Sequence, residues 1–173
     1  MSAPTIRLAT DADLTTINEI YNHYVLTSTC TYQTEPNTPD ERRQWLAGRG
    51  PQHPATVAEL DGQIVGWASL SPFRARAAYD RTVENALYVR PDLQRRGIGS
   101  ALLEDLIERA KAVNHHCIIA VIDAEQSGSI TLHERHGFVQ VARLRQVGFK
   151  FGQWLDVLFL QLLLHEAHLN ARY

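Results

Sequence analysis

The residues of this chain best placed to do chemistry lie in the segment 94–100. Gly97 and Gly99 allow the backbone to approach a ligand closely, and Arg95 and Arg96 bring positive charge to the same point. The apolar spacing that begins at Ile98 predicts a long helix, so the segment also supplies the free amides and dipole of a helix N-terminus. Together these features predict a site for an anion such as pyrophosphate. The alternative is a basic turn that precedes a surface helix.

Other ligand patterns are missing or incomplete. A dinucleotide-binding fingerprint requires a third glycine where Leu102 stands, and a P-loop requires Gly-Lys-Ser or Gly-Lys-Thr, which the chain lacks. Cys30 and Cys117 have no metal-ligand spacing, and no ligand motif accompanies the pair His115 and His116. We therefore predict no metal site.

A second candidate for chemistry is Glu84, which lies in the middle of the largely apolar run 83–87. An unpaired charge within such a strand is costly, and a positioned carboxylate can accept a proton during catalysis. The alternative is an outward-facing glutamate on a half-exposed strand.

Hydrophobic periodicity, caps and turn residues predict the elements that must position these groups. We expect strands at 5–9, 55–60, 63–71, 82–90, 117–122, 138–147 and 154–164, and helices from Thr10, from Thr38 to about Gly48, from Ile98, and at 127–136. The turn between the last two strands is expected to hold Gly148 and Gly152. The order predicts one mixed sheet with a strand–helix–strand crossover late in the chain.

The composition is that of an ordinary globular protein: 173 residues, 45% apolar, 21% charged and a net charge of −2. The apolar share excludes a disordered chain, and the neutral balance gives no reason to expect nucleic acid or an anionic membrane as partner. No run is apolar enough to serve as a signal peptide or a membrane span. We expect a cytoplasmic protein.

The motif Q-x-x-G-x-G at residues 94–99 resembles the pyrophosphate loop of the GNAT superfamily of acyl-CoA-dependent N-acyltransferases. A closer resemblance, from about Ile6 to Leu163, is to the phosphinothricin/methionine sulfoximine acetyltransferase family. The segments that carry it are Asn22-His23-Tyr24, Thr34-Glu35-Pro36, Tyr79-Asp80-Arg81-Thr82-Val83-Glu84, Leu132-His133-Glu134 and Val147-Gly148-Phe149-Lys150-Phe151-Gly152. Members of that family transfer acetyl from acetyl-CoA to the α-amino group of small amino acids and their toxic analogues.

The resemblance implies an α/β (α+β) fold over residues 1–173, with a core from about residue 5 to 164 and a short C-terminal tail. This single GNAT-type domain would have a mixed central sheet of about six to seven strands flanked by about four helices. It also implies acetyl-CoA as the co-substrate, without a metal, and an amino acid as the acceptor. In relatives the aromatic turn of Phe149, Lys150, Phe151 and Trp154 meets a second subunit, which predicts a homodimer. The alternative for this turn is packing back onto the sheet.

The resemblance also implies roles for residues around the donor. Glu84 is expected to be the general base, and the backbone of Leu87, Tyr88 and Val89 is expected to pair with the pantetheine arm. Expected contacts to CoA come from Arg95, Arg96, Gly97, Ile98, Gly99, Ser100, Gln126, Ser129 and His133. Gln126 stands where relatives often have Asn. His133 is a candidate acid for the CoA thiolate, and a solvent-facing helix histidine is the alternative.

On the acceptor side, Arg74 and Arg76 belong to the loop that faces the substrate in relatives, where a guanidinium can clasp a carboxylate. The other substrate-binding residues implied are Tyr32, Ala75, Glu84, Asn85 and Ala86. Direct transfer is expected because Cys117 lies in an apolar strand and Cys30 lacks an evident activating partner. Two alternatives are an N-acetyltransferase acting on proteins or peptides and a CoA-binding sensor without activity.

Overall fold

The computed structural model describes residues 3–164, which form seven strands and four α-helices. The elements are β1 (Thr5–Leu8), α1 (Leu14–Thr27), α2 (Pro39–Ala47), β2 (Ala55–Leu60), β3 (Gln63–Pro72), β4 (Thr82–Val89), α3 (Ile98–Ala112), β5 (Cys117–Asp123), α4 (Ser127–Arg135), β6 (Val139–Lys150) and β7 (Gln153–Leu163). The predicted C-terminal tail lies outside the described residues. Within residues 3–164, no helix is both long enough and apolar enough to cross a bilayer.

The seven strands form one mixed sheet in the order β1-β2-β3-β4-β5-β7-β6, which confirms the predicted fold class. All neighbouring pairs are antiparallel except β4 and β5, which α3 connects as a parallel crossover. The β4–β5 pairing runs only from Thr82 opposite Cys117 to Asn85 opposite Ala120. Beyond that pair the two strands separate, and the remainder of β4 has a free edge toward β5.

The helices cover both faces of the sheet. The apolar stripe of α3, with Leu102, Leu103 and Leu106, is fully buried against Ile118 and Leu160 of the sheet. On the opposite face, α1 and α2 cover an aromatic cluster around Trp67. Because side chains alternate along a strand, each residue of β4 faces one helical layer or the other.

Local signals in the sequence account for most element boundaries. Thr38 and Glu41 form the predicted capping box at the start of α2. The predicted Asp61-Gly62 turn joins β2 to β3, and both of its residues have positive φ angles, 51° and 76°.

The prediction for the last hairpin was partly wrong. Gly148 lies inside β6 rather than in the turn, because β6 continues to Lys150 and the turn is formed by Phe151 and Gly152. The register between β6 and β7 shifts between Leu144 and Gly148, so a bulge takes up the extra residues. The carboxylate of Asp156 stabilises this bulge by accepting hydrogen bonds from the side chain of Arg143 and the backbone of Gln146.

Candidate active site

A cavity of about 920 Å³ opens where β4 and β5 separate. Its walls are the free part of β4, the end of β5, the N-terminus of α3 and the start of α4. The lining includes the glycine-rich start of α3 and, at the other end of the free part of β4, Glu84. The cavity between the separated strands is therefore lined both by the glycine-rich segment before α3 and by Glu84, the two features singled out in the sequence.

The amide-rich end has the geometry of an anion site. Gly97 precedes α3 in the left-handed region with a φ of 80°, and a Cβ built on it would meet no atom within 4 Å. Gly99, in contrast, packs so closely against α4 that a Cβ there would lie 3.2 Å from the side chain of Leu132. The first glycine thus leaves open space above the helix N-terminus, and the second allows α4 to form the far wall.

Most of the predicted donor residues line this cavity. Those present are Leu87, Tyr88, Val89, Arg95, Gly97, Ile98, Gly99, Ser100, Gln126, Ser129 and His133. Arg96 is the exception, since its exposed side chain is not part of the cavity wall. The hydroxyl of Ser100 is 2.8 Å from Nε2 of His136, and the Gln126 amide donates to Thr29 Oγ1 at 3.3 Å.

The carboxyl group of Glu84 is half-buried, and no residue of the described chain forms a hydrogen bond or an ion pair with it. Burial raises the pKa of Glu84 above its ordinary value because desolvation disfavours the charged form. Across the sheet its neighbours are Ser71 of β3 and Ile119 of β5. An unpartnered carboxylate facing a cavity is the arrangement expected of a group that accepts a proton.

The expected acceptor site grouped Asn85 with Glu84 and Ala86. The side chain of Asn85 lies on the opposite face of β4 instead, because successive residues of a strand point to opposite sides. Its Nδ2 is 2.9 Å from Nε2 of His133, and its Oδ1 is buried without a hydrogen-bond partner. His133 is only 3% exposed, which excludes the alternative of a solvent-facing histidine. Burial lowers the pKa of His133, so the ring is held neutral.

The hydrogen bonds of His133 define its tautomer. Nδ1 is 2.8 Å from the carbonyl oxygen of Ser129, which can only accept, so Nδ1 carries the proton. Nε2 of the neutral ring is then an acceptor, and the amide of Asn85 donates to it. This pair lies on the α4 side of the cavity, across β4 from Glu84.

Other predicted acceptor residues lie away from the cavity. Arg74, Ala75 and Arg76 are exposed in the loop after β3, and the guanidinium of Arg74 lies 4.9 Å from the ring centroid of Phe73. The hydroxyl of Tyr32 donates to the carbonyl oxygen of Asp156 at 3.0 Å, and burial raises the pKa of Tyr32 to about 12. None of these four residues lines the cavity.

Several wall residues were not predicted as site residues. Tyr24 donates to the carbonyl oxygen of Val89 at 2.6 Å and accepts from Gln94 at 2.7 Å, which fixes the end of β4 to α1. Gln94 belongs to the recognised motif, so the motif itself contained this signal. Cys30 and His136 come from distant segments, and no spacing in the sequence connects them to the site.

A helix N-terminus open to an approaching anion and an unpartnered carboxylate line one cleft, an arrangement that suits a group-transfer enzyme with a phosphorylated carrier. Within residues 3–164, no three His, Cys, Asp or Glu side chains are grouped so that they could hold a metal ion. The chain belongs to the Acetyltransferase (GNAT) family, whose sequence profile matches residues 17–138. It is an N-acetyltransferase of this type.

Relatives of known name extend the match over nearly the whole chain. The chain is 39% identical to the L-methionine sulfoximine/L-methionine sulfone acetyltransferase of Salmonella typhimurium, with 94% of this chain and 95% of that protein covered. It is 41% identical to the phosphinothricin N-acetyltransferase of Streptomyces viridochromogenes, with coverages of 90% and 85%. A solved acetyltransferase structure from Salmonella typhimurium, described with its cofactor acetyl-CoA, superposes with a TM-score of 0.92 at 39% identity, covering 96% of this chain and 97% of that one.

Proposed function

We propose that this enzyme transfers acetyl from acetyl-CoA to the α-amino group of a small amino acid or an analogue such as phosphinothricin or methionine sulfoximine. The observation that carries the proposal is the unpartnered, half-buried carboxyl group of Glu84 at one end of a cavity whose other end suits a pyrophosphate. The names of the relatives support the acceptor class.

The residues present fit the CoA ester. Free amides at the start of α3 and the charge of Arg95 suit its pyrophosphate, because Gly97 leaves the approach open. The free edge of β4 at residues 86–89 suits the amide groups of its pantetheine arm. When bound, the ester supplies an activated acetyl group and a thiol leaving group. Main-chain N–H groups of the free edge would polarise the carbonyl oxygen of the ester.

Glu84 would act as the general base. An amine attacks only when neutral, so its ammonium form must lose a proton, directly or through a water molecule, to an acceptor. The raised pKa of Glu84 makes the carboxylate a stronger base than an exposed glutamate.

Transfer would be direct, without an acyl-enzyme. Burial raises the pKa of both Cys30 and Cys117, which keeps their thiols protonated and weakly nucleophilic. Cys117 also lies within β5, buried in the sheet.

His133 would serve as a positioning residue rather than as the proton donor to the thiolate. Its one ring proton is donated to the carbonyl oxygen of Ser129, and its lowered pKa opposes a second proton. Its Nε2 instead accepts from Asn85, whose Oδ1 is buried without a hydrogen-bond partner. We assign this pair to orienting the donor.

A thiol-release assay with acetyl-CoA tests the function. We expect turnover with one or more free amino acids, phosphinothricin or methionine sulfoximine, and a loss of about 100- to 10,000-fold in kcat for Glu84→Gln, the range for removing a general base. Turnover with peptides alone would assign the chain to protein acetylation. Tight CoA binding without turnover on any acceptor would assign it to a sensor, and full activity of Glu84→Gln would exclude the proposed base.

The proposal includes a homodimer in the cytoplasm. The outer strand β6 and the hairpin tip expose large apolar side chains, including Phe149 at 58% and Trp154 at 63%. A second copy of the chain would cover this surface by a twofold contact. Sedimentation is expected to show a dimer at micromolar concentration, and a monomer there would contradict this part.

A further inference from the structure

Two arginines on the face of the sheet that α1 and α2 cover lack the carboxylate partners that buried cations normally have. Arg42 of α2 is only 2% exposed, and its guanidinium lies over the rings of Tyr21, Trp45 and Trp67 at 4.9, 4.8 and 5.4 Å. Its Nε donates to Asn18, while one terminal nitrogen is buried without a hydrogen-bond partner. Its charge is thus stabilised mainly by aromatic faces, with one hydrogen bond to a neutral amide.

Arg49, which follows α2, lies next to this group. Its guanidinium is 4.5 Å from the ring centroid of Trp45, and its Nη1 donates to the carbonyl oxygen of Leu70 and, at 3.1 Å, to Oγ of Ser71. Burial and the nearby charge of Arg42 lower the pKa of Arg49 to about 10. At neutral pH it therefore remains a cation.

No carboxylate within residues 3–164 lies within ion-pair distance of either arginine. Two neighbouring cations in a partly buried setting are unfavourable unless an anion compensates them. Nε and Nη2 of Arg49 have no hydrogen-bond partner within the described chain, so the fork of the guanidinium has donors to spare.

The position of Arg49 relative to Glu84 indicates which anion it would take. Ser71, which Arg49 contacts, lies directly opposite Glu84 in the pairing of β3 with β4. Residues opposite each other in a sheet point to the same face, so the Ser71 hydroxyl that Arg49 contacts and the side chain of Glu84 lie on one face of the sheet. An α-amino acid carries the complementary pair of charges a few bonds apart.

We infer that Arg49 binds the carboxylate of the acceptor amino acid while Glu84 receives the proton of its amino group, with Arg42 as a positioning residue behind Arg49. The inference rests on the proposed function and assigns its acceptor specificity to the segment that follows α2. The arginines expected from the resemblance, Arg74 and Arg76, are exposed on the loop after β3, whereas Arg49 is fixed to β3 by two hydrogen bonds.

The test compares an amino acid that the wild-type enzyme acetylates with its carboxamide, which keeps the amino group and lacks the negative charge. For Arg49→Met, we expect KM for the acid to rise about 10- to 100-fold, the effect of losing a charge-assisted hydrogen bond. The KM for acetyl-CoA and the kcat/KM for the carboxamide are expected to stay at wild-type values. Arg43→Met is the matched control, because Arg43 is exposed on the preceding helix α2 and pairs only with Asp40.

Each further outcome decides the matter. Wild-type KM for the acid in Arg49→Met, or an equal loss for acid and carboxamide, would overturn the inference, as would an acid-specific loss in Arg74→Met instead. If Arg49→Met does not fold, Arg49→Lys keeps the charge but loses the fork, and we expect an acid-specific rise in KM that is smaller. A wild-type enzyme that acetylates no small amino acid would refute the proposed function itself.

Discussion

The donor and acceptor halves of the cavity are built in different ways. The proposed donor half consists mainly of one contiguous segment, the turn that leads into α3, and it would act through main-chain amides, glycines and a free strand edge. The proposed acceptor half combines Glu84 of β4 with Ser71 of β3 and Arg49, which follows α2, and these residues are far apart in the chain. A contiguous backbone site shows in a short motif, whereas a site made of scattered side chains does not.

The largest expected effect concerns the donor half. Gly97→Asp places a carboxylate in the open space above the α3 amides, and we expect the Kd for CoA to rise roughly 100-fold or more, because charge repulsion replaces charge-assisted hydrogen bonds. Calorimetry measures this. Gly62→Asp is the matched control, since Gly62 has a similar φ of 76° and equally open surroundings in a turn outside the cavity wall.

Both variants suffer the same left-handed strain, so their stabilities should fall by similar amounts. If Gly62→Asp weakened CoA binding as much as Gly97→Asp, the loss would reflect general destabilisation, and the donor site would be misplaced.

An intermediate effect concerns the pH dependence of the acceptor half. The folded pKa of Glu84 is raised above its value of 4.5 in the unfolded chain, so ionised Glu84 destabilises the fold at neutral pH. Glu84→Gln is therefore expected to raise Tm at pH 7. The difference should shrink as the pH falls through the folded pKa and vanish below the unfolded value, where both states are protonated.

Thermal unfolding from pH 4 to 8 measures this difference, and Glu125→Gln provides a comparison at a second glutamate on the cavity wall. A Glu84→Gln protein less stable than wild type at pH 7 would show that the carboxylate has a stabilising partner and would weaken its assignment as a free base.

The smallest effect concerns the support behind the acceptor half. A Cβ at Gly148 would lie 2.4 Å from the ring of Tyr32, so Gly148→Ala must displace that ring or the strand. We expect a loss of about 1–3 kcal/mol in the free energy of unfolding, the usual range for overpacking. Gly50→Ala, with no atom within 4 Å, is the control, and equal stability of the two variants would contradict the contact.

The neighbouring side chain of Lys150 shows why this region resists prediction. The sequence placed Lys150 in an exposed aromatic turn, but its ammonium is buried and donates to the carbonyl oxygens of Ser28 and Thr31, each at 2.7 Å. This contact joins residues more than a hundred positions apart. No periodicity or turn signal contains such a pairing.

The same distinction holds for the catalytic candidates. The helix cap at Thr38, the Asp61-Gly62 turn and the loop before α3 follow from interactions within a few residues, and all three are confirmed in structure. Strand alternation predicts from the sequence that Glu84 and Asn85 point to opposite faces of β4. It does not predict which residues they contact. His133 and Ser71 meet them only because α4 and β3 pack there.

The sequence by itself determined the order of helices and strands, the glycine-rich segment before α3 and the family, because short-range backbone preferences and contiguous motifs produce them. Only the tertiary structure decided that β4 and β5 separate after Asn85, that His133 is a buried neutral acceptor, and that Ser71, which Arg49 contacts, lies opposite Glu84 in the sheet. These features depend on strand register and on packing between distant segments, and desolvation in the folded state sets the protonation of the groups involved.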